Sequence, residues 1–287
     1  MKGFFLLLML IFASLTTFSQ NELADDSLKS KKVKPNYLTL GAGFHASKFR
    51  DIATSPLFYE GLGTVFSLSA LTSDDRVESE FAFQNLNGIH GVVVGNESAI
   101  STFNQSILSY SYLLSFRKIS NEKWNFKAGA MLNALLNVRQ NESLFNNSFG
   151  LESVNTLFVS AQAKRDISRS KLVVKKWLFL KIKLKPKERD ISFRFNVGVV
   201  NNNLRNGYAY LNQSWIISDD SQVLDGYKYS FFSGTRLTTE WNYTRHLTNG
   251  NAIRFAFNTD VYSTGNQLDK FEAAHYTMKF ILLFRTK

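Results

Sequence analysis

From Tyr37 onward the chain alternates apolar and polar residues with a period of two, the spacing of β-strands. In "YLTLGAGFHAS", Leu38, Leu40, Ala42, Phe44 and Ala46 share one face, and Thr39, Gly41, Gly43 and His45 share the other. At the end of the chain, "HYTMKFILLFRTK" puts Tyr276, Met278, Phe280, Leu282 and Phe284 on one parity. Comparable alternation marks "GLGTVFSLSALT", "RVESEFAFQN", "SILSYSYLLSF", "WNFKAGAMLNALLNV", the stretch from Asn155 to Arg165, "ISFRFNVGVV", "YAYLNQSWII", "SGTRLTTEWNYTR" and "AIRFAFNTDVYS". The lysine-rich run "KLVVKKWLFLKIKLKPKERD" alternates Leu178, Leu180, Ile182 and Leu184 with Phe179, Lys181, Lys183 and Lys185, and is read as a seventh strand. These segments predict about twelve strands. With residues 168–189 as a long turn, the alternative is a ten-strand barrel.

Turn residues predict tight connections at Ser73, Ile119, Ser168 and His246, with a further turn at Asn201. A longer loop is expected from about Asn87 to Thr102, and an Asn-rich one at "QNESLFNNSFG". His90 and His246 are placed in loops by this reading.

Alternation alone does not say which face meets solvent. A soluble sandwich or lipocalin-like barrel turns its apolar parity inward, whereas a membrane barrel turns it toward lipid. Three features favour the second. The strands approach the roughly 9–11 residues a tilted membrane strand needs. The polar parity holds small or neutral residues, among them Gly41, Gly43, Ser109, Gly129, Asn133 and Thr238. Aromatic residues gather near strand ends on the apolar parity: Tyr110, Trp124, Phe126, Trp241, Tyr243, Tyr276 and Phe284 are the expected interfacial girdle. The fold class is therefore all-β, an antiparallel up-and-down transmembrane barrel.

Composition sharpens this picture. The 287 residues include 26 Phe, 11 Tyr and 3 Pro. There is no cysteine, which removes disulfides and Cys metal sites, and the four histidines have no metal-ligand spacing. The first stretch, MKGFFLLLMLIFASLTTFSQ, reads as a secretory signal peptide over 1–19, too short to cross a bilayer as a helix. Residues 20–36 read as a short polar periplasmic segment, and 37–287 as the barrel. Localisation in the bacterial outer membrane after Sec-type export follows, with outer-membrane lipid as the surrounding partner. The formal net charge of +11 comes with no nucleic-acid recognition motif, so nucleic acid is not an expected partner.

The inward parity collects charges: Glu78, Glu80, Lys127, Arg139, Lys181, Lys183, Arg194, Arg236, Glu240, Arg254, Asp260, His275 and Lys279. They read either as a salt-bridged filling of a narrow lumen or as a cation-lined path for anionic solutes. Arg236, Glu240, Arg254, Asp260 and Lys279 lie on successive strands and are expected to form one network. No metal or cofactor is expected. The leading reading is a barrel without enzymatic activity, either a narrow porin-like channel or a structural or accessory subunit contacting an envelope protein.

A leader with a Ser19-Gln20 junction, a chain without cysteine and an alternating last strand together resemble the outer-membrane β-barrel proteins common in Bacteroidota. The resemblance implies insertion by the barrel-assembly machinery, which reads a last strand ending in an aromatic. Phe284 would be that aromatic, and Arg285-Thr286-Lys287 follow it here. A second resemblance is local: His45-Ala46-Ser47 is similar to the His-x-Ser of lipid A deacylase barrels, which implies an acyl hydrolase as the alternative. The parity turns His45 and Ser47 inward, and no acid is spaced to complete a triad. An omptin-like protease would need Asp/His pairs on its loops, and Asp219-Asp220 has no neighbouring His.

Overall fold

Described by a computed structural model are residues 35–286 apart from 148, 178–179, 185, 207–226 and 266–268. The leader read at 1–19, most of the polar segment after it and the strand read at "YAYLNQSWII" lie outside the described residues. In chain order the strands are β1 (Asn36–Asp51), β2 (Ser55–Ser73), β3 (Val77–Val94), β4 (Glu97–Ser115), β5 (Trp124–Gln140), β6 (Phe149–Asp166), β7 (Val173–Trp177), β8 (Leu180–Leu184), β9 (Arg189–Asn206), β10 (Tyr227–Ser230), β11 (Thr235–His246), β12 (Ala252–Thr264) and β13 (Phe271–Arg285).

Ten of these close a barrel in the order β1-β2-β3-β4-β5-β6-β9-β11-β12-β13, and every neighbouring pair is antiparallel. The seam is the pairing of β13 with β1, from Tyr37 opposite Arg285 to Asp51 opposite Phe271. Closure leaves no free edge along the wall, so the ladder satisfies its own backbone groups. The extra strand β10 pairs with the last residues of β9 at the rim.

The count is ten rather than twelve. The run read as a seventh wall strand instead folds on itself: β7 pairs with β8 in a separate two-stranded sheet. Lys181 and Lys183, assigned to the lumen from parity, therefore lie on a hairpin outside the ten-stranded wall. Period two identifies a strand but does not name its partner.

The wall strands are longer than the alternation suggested. Residues 87–102, expected as a loop, continue β3 and β4 with only Gly95 and Asn96 between them. Gly95 takes φ 62°, a value that a two-residue hairpin connection requires and glycine adopts without a steric penalty. Asn201, expected at a turn, sits inside β9.

Burial fixes the direction of every face. On β1, Thr39, His45, Ser47 and Phe49 are buried inside, while Leu38, Leu40 and Phe44 project outward, Phe44 at 74% exposure. The same outward parity exposes Leu62 and Phe66 on β2, Leu108 and Tyr110 on β4, Phe255 on β12, and Met278 and Phe280 on β13. The polarity is thus inverted relative to a water-soluble barrel: charge inside, hydrocarbon outside. Along β1 the apolar outer run spans Leu38 to Ala46 and stops at Lys48, which pairs outward with Glu60 of β2 at 2.5 Å.

Candidate functional site

The interior is the candidate site, filled in layers between two ends. One end carries both described chain termini and the turns 74–76, 116–123 and 247–251. The other, the loop end, carries 52–54 and 95–96.

Nearest the terminal end, Glu78 organises the first layer. It is the second residue of β3 and is buried. Its carboxylate accepts from Arg194 and from Gln162 Nε2 at 2.9 Å, and from Ser73 Oγ at 3.1 Å. Lys127 Nζ stands 3.5 Å away. Lys127 also donates to the Asp74 carbonyl at 2.6 Å, tying the lumen to the turn below it. Glu80 accepts from Ser69 Oγ at 2.7 Å and lies 3.9 Å from Arg194. Glu240 stands opposite Arg194 in the β9–β11 register and accepts from Asn242.

Above this layer, Lys279 on β13 reaches across the lumen to Gln84 Oε1 of β3 at 2.6 Å. Arg236 of β11 holds Asp260 of β12 with two bonds and donates to Asn133 Oδ1 of β5 at 2.8 Å. Its guanidinium also lies 5.5 Å from the rings of Phe158 and Tyr262, where a cation meets the negative face of a ring. Arg254 donates to Thr244 Oγ1 at 3.2 Å. The network expected from Arg236, Glu240, Arg254, Asp260 and Lys279 falls into two groups. Arg236 and Asp260 pair directly, while Glu240, Arg254 and Lys279 interact through their charges and hydrogen-bond to other partners.

A histidine layer follows. Ser47 Oγ lies 2.5 Å from His90 Nε2 and 3.3 Å from His45 Nδ1, and His45 Nε2 is 3.2 Å from the Asn87 carbonyl. Space for the His45 ring comes from glycine: a Cβ on Gly63 would stand 2.4 Å from His45 Nε2 and 2.0 Å from the Asn87 carbonyl. His90 is therefore a wall residue of β3 facing inward, not a loop residue as expected. His246, also read as a loop residue, ends β11 and bonds Asp190 at 2.7 Å. His275 is buried between the rings of Phe103, 5.3 Å away, and Tyr262, 6.0 Å away.

Toward the loop end comes an aromatic layer, where Phe49 stacks on Tyr59, Phe103 and Phe271 with centroids 5.4, 5.9 and 6.0 Å apart. A second ionic layer caps it. Asp51 accepts from Arg139 at 2.8 Å and Arg205 at 2.9 Å, and Glu152 accepts from Thr264 at 3.0 Å. The Arg139 guanidinium lies 4.3 Å from the Phe271 ring. Sequence reading missed Asp51, Glu152 and Arg205, because it ended the first strand at Ser47 and assigned 201–207 to a turn. Strand alternation carried four residues further would have found Asp51.

Among the described wall residues, Asp51, Glu78, Glu80, Glu152, Asp190, Glu240 and Asp260 face Lys127, Arg139, Lys164, Arg194, Arg205, Arg236, Arg254 and Lys279. Carboxylates and cations in such near balance leave little of the positive excess that an anion path needs. Among the described residues, no group of three or more His, Asp or Glu is placed to hold a metal ion.

The seven aromatic residues expected as a girdle all stand on the outward parity. Tyr110, Trp241, Tyr276 and Phe284 are exposed, and Trp124, Phe126 and Tyr243 are half-buried. Trp124, Phe126, Tyr243 and Phe284 fall near the terminal end of their strands, whereas Tyr276 sits in the loop-end half of β13. Trp124 and Phe126 stack with centroids 5.8 Å apart, and the Arg165 guanidinium lies 5.2 Å from the Trp124 ring.

No protein-family model matches the chain, and no curated protein matches it. Among solved structures, the translocator domain of the autotransporter NalP from Neisseria meningitidis is 8% identical over 95% of this chain and 96% of that one, with a TM-score of 0.36. The transport unit of the autotransporter AIDA-I from Escherichia coli is 8% identical over 93% and 97%, with a TM-score of 0.39. Pseudomonas aeruginosa OpdL is 6% identical over 89% and 99%, with a TM-score of 0.19. At these TM-scores the overlaps bear on neither substrate nor partner.

Proposed function

We propose that this chain is an outer-membrane barrel without enzymatic activity, closed by its own side chains, that serves as a structural or accessory subunit of the cell envelope rather than as an open channel. The observation that carries this reading is the inversion of polarity together with the filled lumen. Phe44, Leu62 and Met278 project outward at 67–74% exposure, while the inward Lys127, Arg194 and Arg236 are at most 4% exposed. Apolar surface of that extent in water would be strongly unfavourable, and in hydrocarbon it carries no penalty. An open pore would leave its lining cations hydrated, and these are sealed by partners from opposite walls.

The loop end supports a partner-facing role. β3 and β4 continue past the level at which Glu60 pairs with Gly91; Ile100 at that level and Val93 beyond it are exposed outward at 60% and 74%. The acyl-hydrolase alternative draws on the Ser47–His90 contact. Both residues face the sealed interior, however, and His90 Nδ1 has no hydrogen-bond partner among the described residues to orient the ring.

Two measurements test the reading in sequence. Membrane fractionation with heat-modifiable gel mobility reports whether a folded barrel resides in the outer membrane; a heat-insensitive soluble protein would end the proposal. Planar-bilayer recording on folded protein then separates the roles. Silence is expected, and stepwise conductance would assign an open channel instead.

A further inference from the structure

The outer wall of β3 and β4 carries a ring of amides at a depth where lipid chains would lie. Asn85 Nδ2 donates to Asn104 Oδ1 at 3.3 Å, Asn104 Nδ2 donates to Asn87 Oδ1, and Asn87 Nδ2 donates back to Asn85 Oδ1. The second Nδ2 hydrogen of Asn85 reaches Ser106 Oγ at 3.0 Å. All four side chains stand on the outward parity, and Asn87 and Asn104 are exposed. The register gives the depth. Asn87 lies opposite Thr64 of β2, four residues along that strand from Glu60, where outward charge begins. Leu62, opposite Ile89, stands between the two levels, and both are exposed. Toward the terminal end Asn85 lies opposite Phe66, and on the β5 side Ser106 and Asn104 lie opposite Leu136 and Val138. The ring is thus a polar island enclosed by apolar side chains, the reverse of an apolar patch rimmed by polar residues on a water-soluble surface.

A carboxamide has two N–H donors and two acceptor lone pairs. The ring uses one of each at Asn87 and Asn104. An N–H on each of these two, and a lone pair on all three amide oxygens, are left without a partner among the described residues. Acyl chains offer such groups nothing, and unmet polar groups in hydrocarbon are costly. Polar side chains also join proteins within a bilayer, where apolar contact alone has little driving force. The occupant of this patch must therefore present donors and acceptors together, at the same depth. A second copy of this chain meets both demands by symmetry. A two-fold axis along the membrane normal brings the same patch to the same depth, and a surface holding donors and acceptors is complementary to itself. We propose that the chain forms a two-fold dimer through the outer wall of β3 and β4, with the two asparagine rings facing each other. This rests on the reading that the barrel spans a bilayer, since water would satisfy the same groups.

Because the chain has no cysteine, Asp75→Cys in the exposed turn between β2 and β3 is a unique labelling site. Full-length protein carrying a donor or an acceptor fluorophore there is mixed in phosphatidylcholine vesicles, and energy transfer is followed as lipid is added. Transfer above the level of random proximity, with the stoichiometry of a dimer, is the expected result. Changing Asn85, Asn87 and Asn104 together to Leu is expected to move the dissociation midpoint to an about tenfold higher protein-to-lipid ratio. A parent that shows only random proximity, or a triple variant that associates as tightly as the parent, overturns the proposal. A monomeric parent whose Thr64, replaced by a photo-crosslinking residue, captures a different protein in native membranes assigns the patch to that partner and also overturns it. Heat-modifiable mobility on the same samples separates the two readings. A barrel that shifts normally but stays monomeric loses only the dimer, and one that never shifts loses the membrane-spanning reading itself. If the triple variant alone fails to shift, Asn104→Leu, which opens the ring at one member, takes its place in the comparison.

Discussion

Arg236 Nε bonds Asp260 Oδ1 at 3.0 Å while its Nη2 bonds Asp260 Oδ2 at 2.6 Å, a two-pronged grip between neighbouring strands in the middle of the lumen. The register places Thr238, not Arg236, opposite Asp260, so the guanidinium reaches diagonally along the wall. Its remaining Nη1 crosses to Asn133, which joins β11 and β12 to the far side of the barrel.

Breaking that pair from one side strands a buried charge. Asp260→Ala is expected to destabilise the barrel by about 3–5 kcal/mol, because Arg236 keeps its charge and loses its partner. The double variant Arg236→Met with Asp260→Leu is expected to cost less than the single one. Urea unfolding in detergent micelles, followed by gel mobility, reads both.

The outer face makes the opposite demand. Leu40 projects outward in the apolar run of β1, opposite Leu282 across the seam. Leu40→Arg is expected to cost about 2–4 kcal/mol in a bilayer if the site lies at the midplane. A smaller loss in lipid than in a water-soluble reference state would count against hydrocarbon contact at this position.

Ser47→Ala removes the hydroxyl that bridges His90 and His45. The expected outcome is a stability loss of about 1–3 kcal/mol as buried ring nitrogens lose a partner. Lipid A and phospholipid profiles of a strain carrying the variant are expected to match the parent by mass spectrometry. An altered profile would revive the acyl-transfer alternative.

Gly63 sits where the β2–β3 ladder passes beneath the His45 ring. A Cβ there meets the Asn87 carbonyl as well as the imidazole, and a backbone carbonyl cannot swing aside. Gly63→Ala is expected to cost about 1–3 kcal/mol, the range of overpacking in a filled interior. A melting temperature unchanged from the parent would mean that the lumen is looser than its contacts imply.

Unplugging should create what the parent lacks. Phe49 stacks with Phe103 and Phe271 beneath the Asp51–Arg139–Arg205 cap. Truncating Phe49, Phe103 and Phe271 to Ala together is expected to bring stepwise conductance to a barrel that is silent with them in place. Continued silence from a folded triple variant would assign the block to another layer.

Much of this architecture is legible in the sequence because membrane barrels and strands share one simple signal. Leu38, Leu40 and Phe44 on one parity and Thr39 and His45 on the other already give a strand with two unlike faces, and every charged residue placed inward on a wall strand stands inward. What was lost lies where that signal fades. Residues 87–102 look like a loop because Asn85, Asn87 and Asn104 fall on the outer parity. Their amides bond to one another across β3 and β4, which local composition cannot reveal. The reading of "KLVVKKWLFLKIKLKPKERD" recovered a strand period but not the pairing of Lys176 with Lys181, because partner choice depends on the chain reversing at its centre. The Ser47–His90 contact joins residues 43 apart, and it emerges only after the β1–β2–β3 register is set.

The seam between β1 and β13 has a consequence for biogenesis. Tyr37 and Arg285 are opposite neighbours, so the ring has two open edges until β13 has been delivered. Contacts of such long sequence separation form slowly, since the whole intervening chain must be ordered before they are rewarded. Native closure cannot begin before β13 has been made. A chain in that state must be kept from pairing with strangers throughout the wait, and its quality control rests on whether β1 and β13, made far apart in time, find each other.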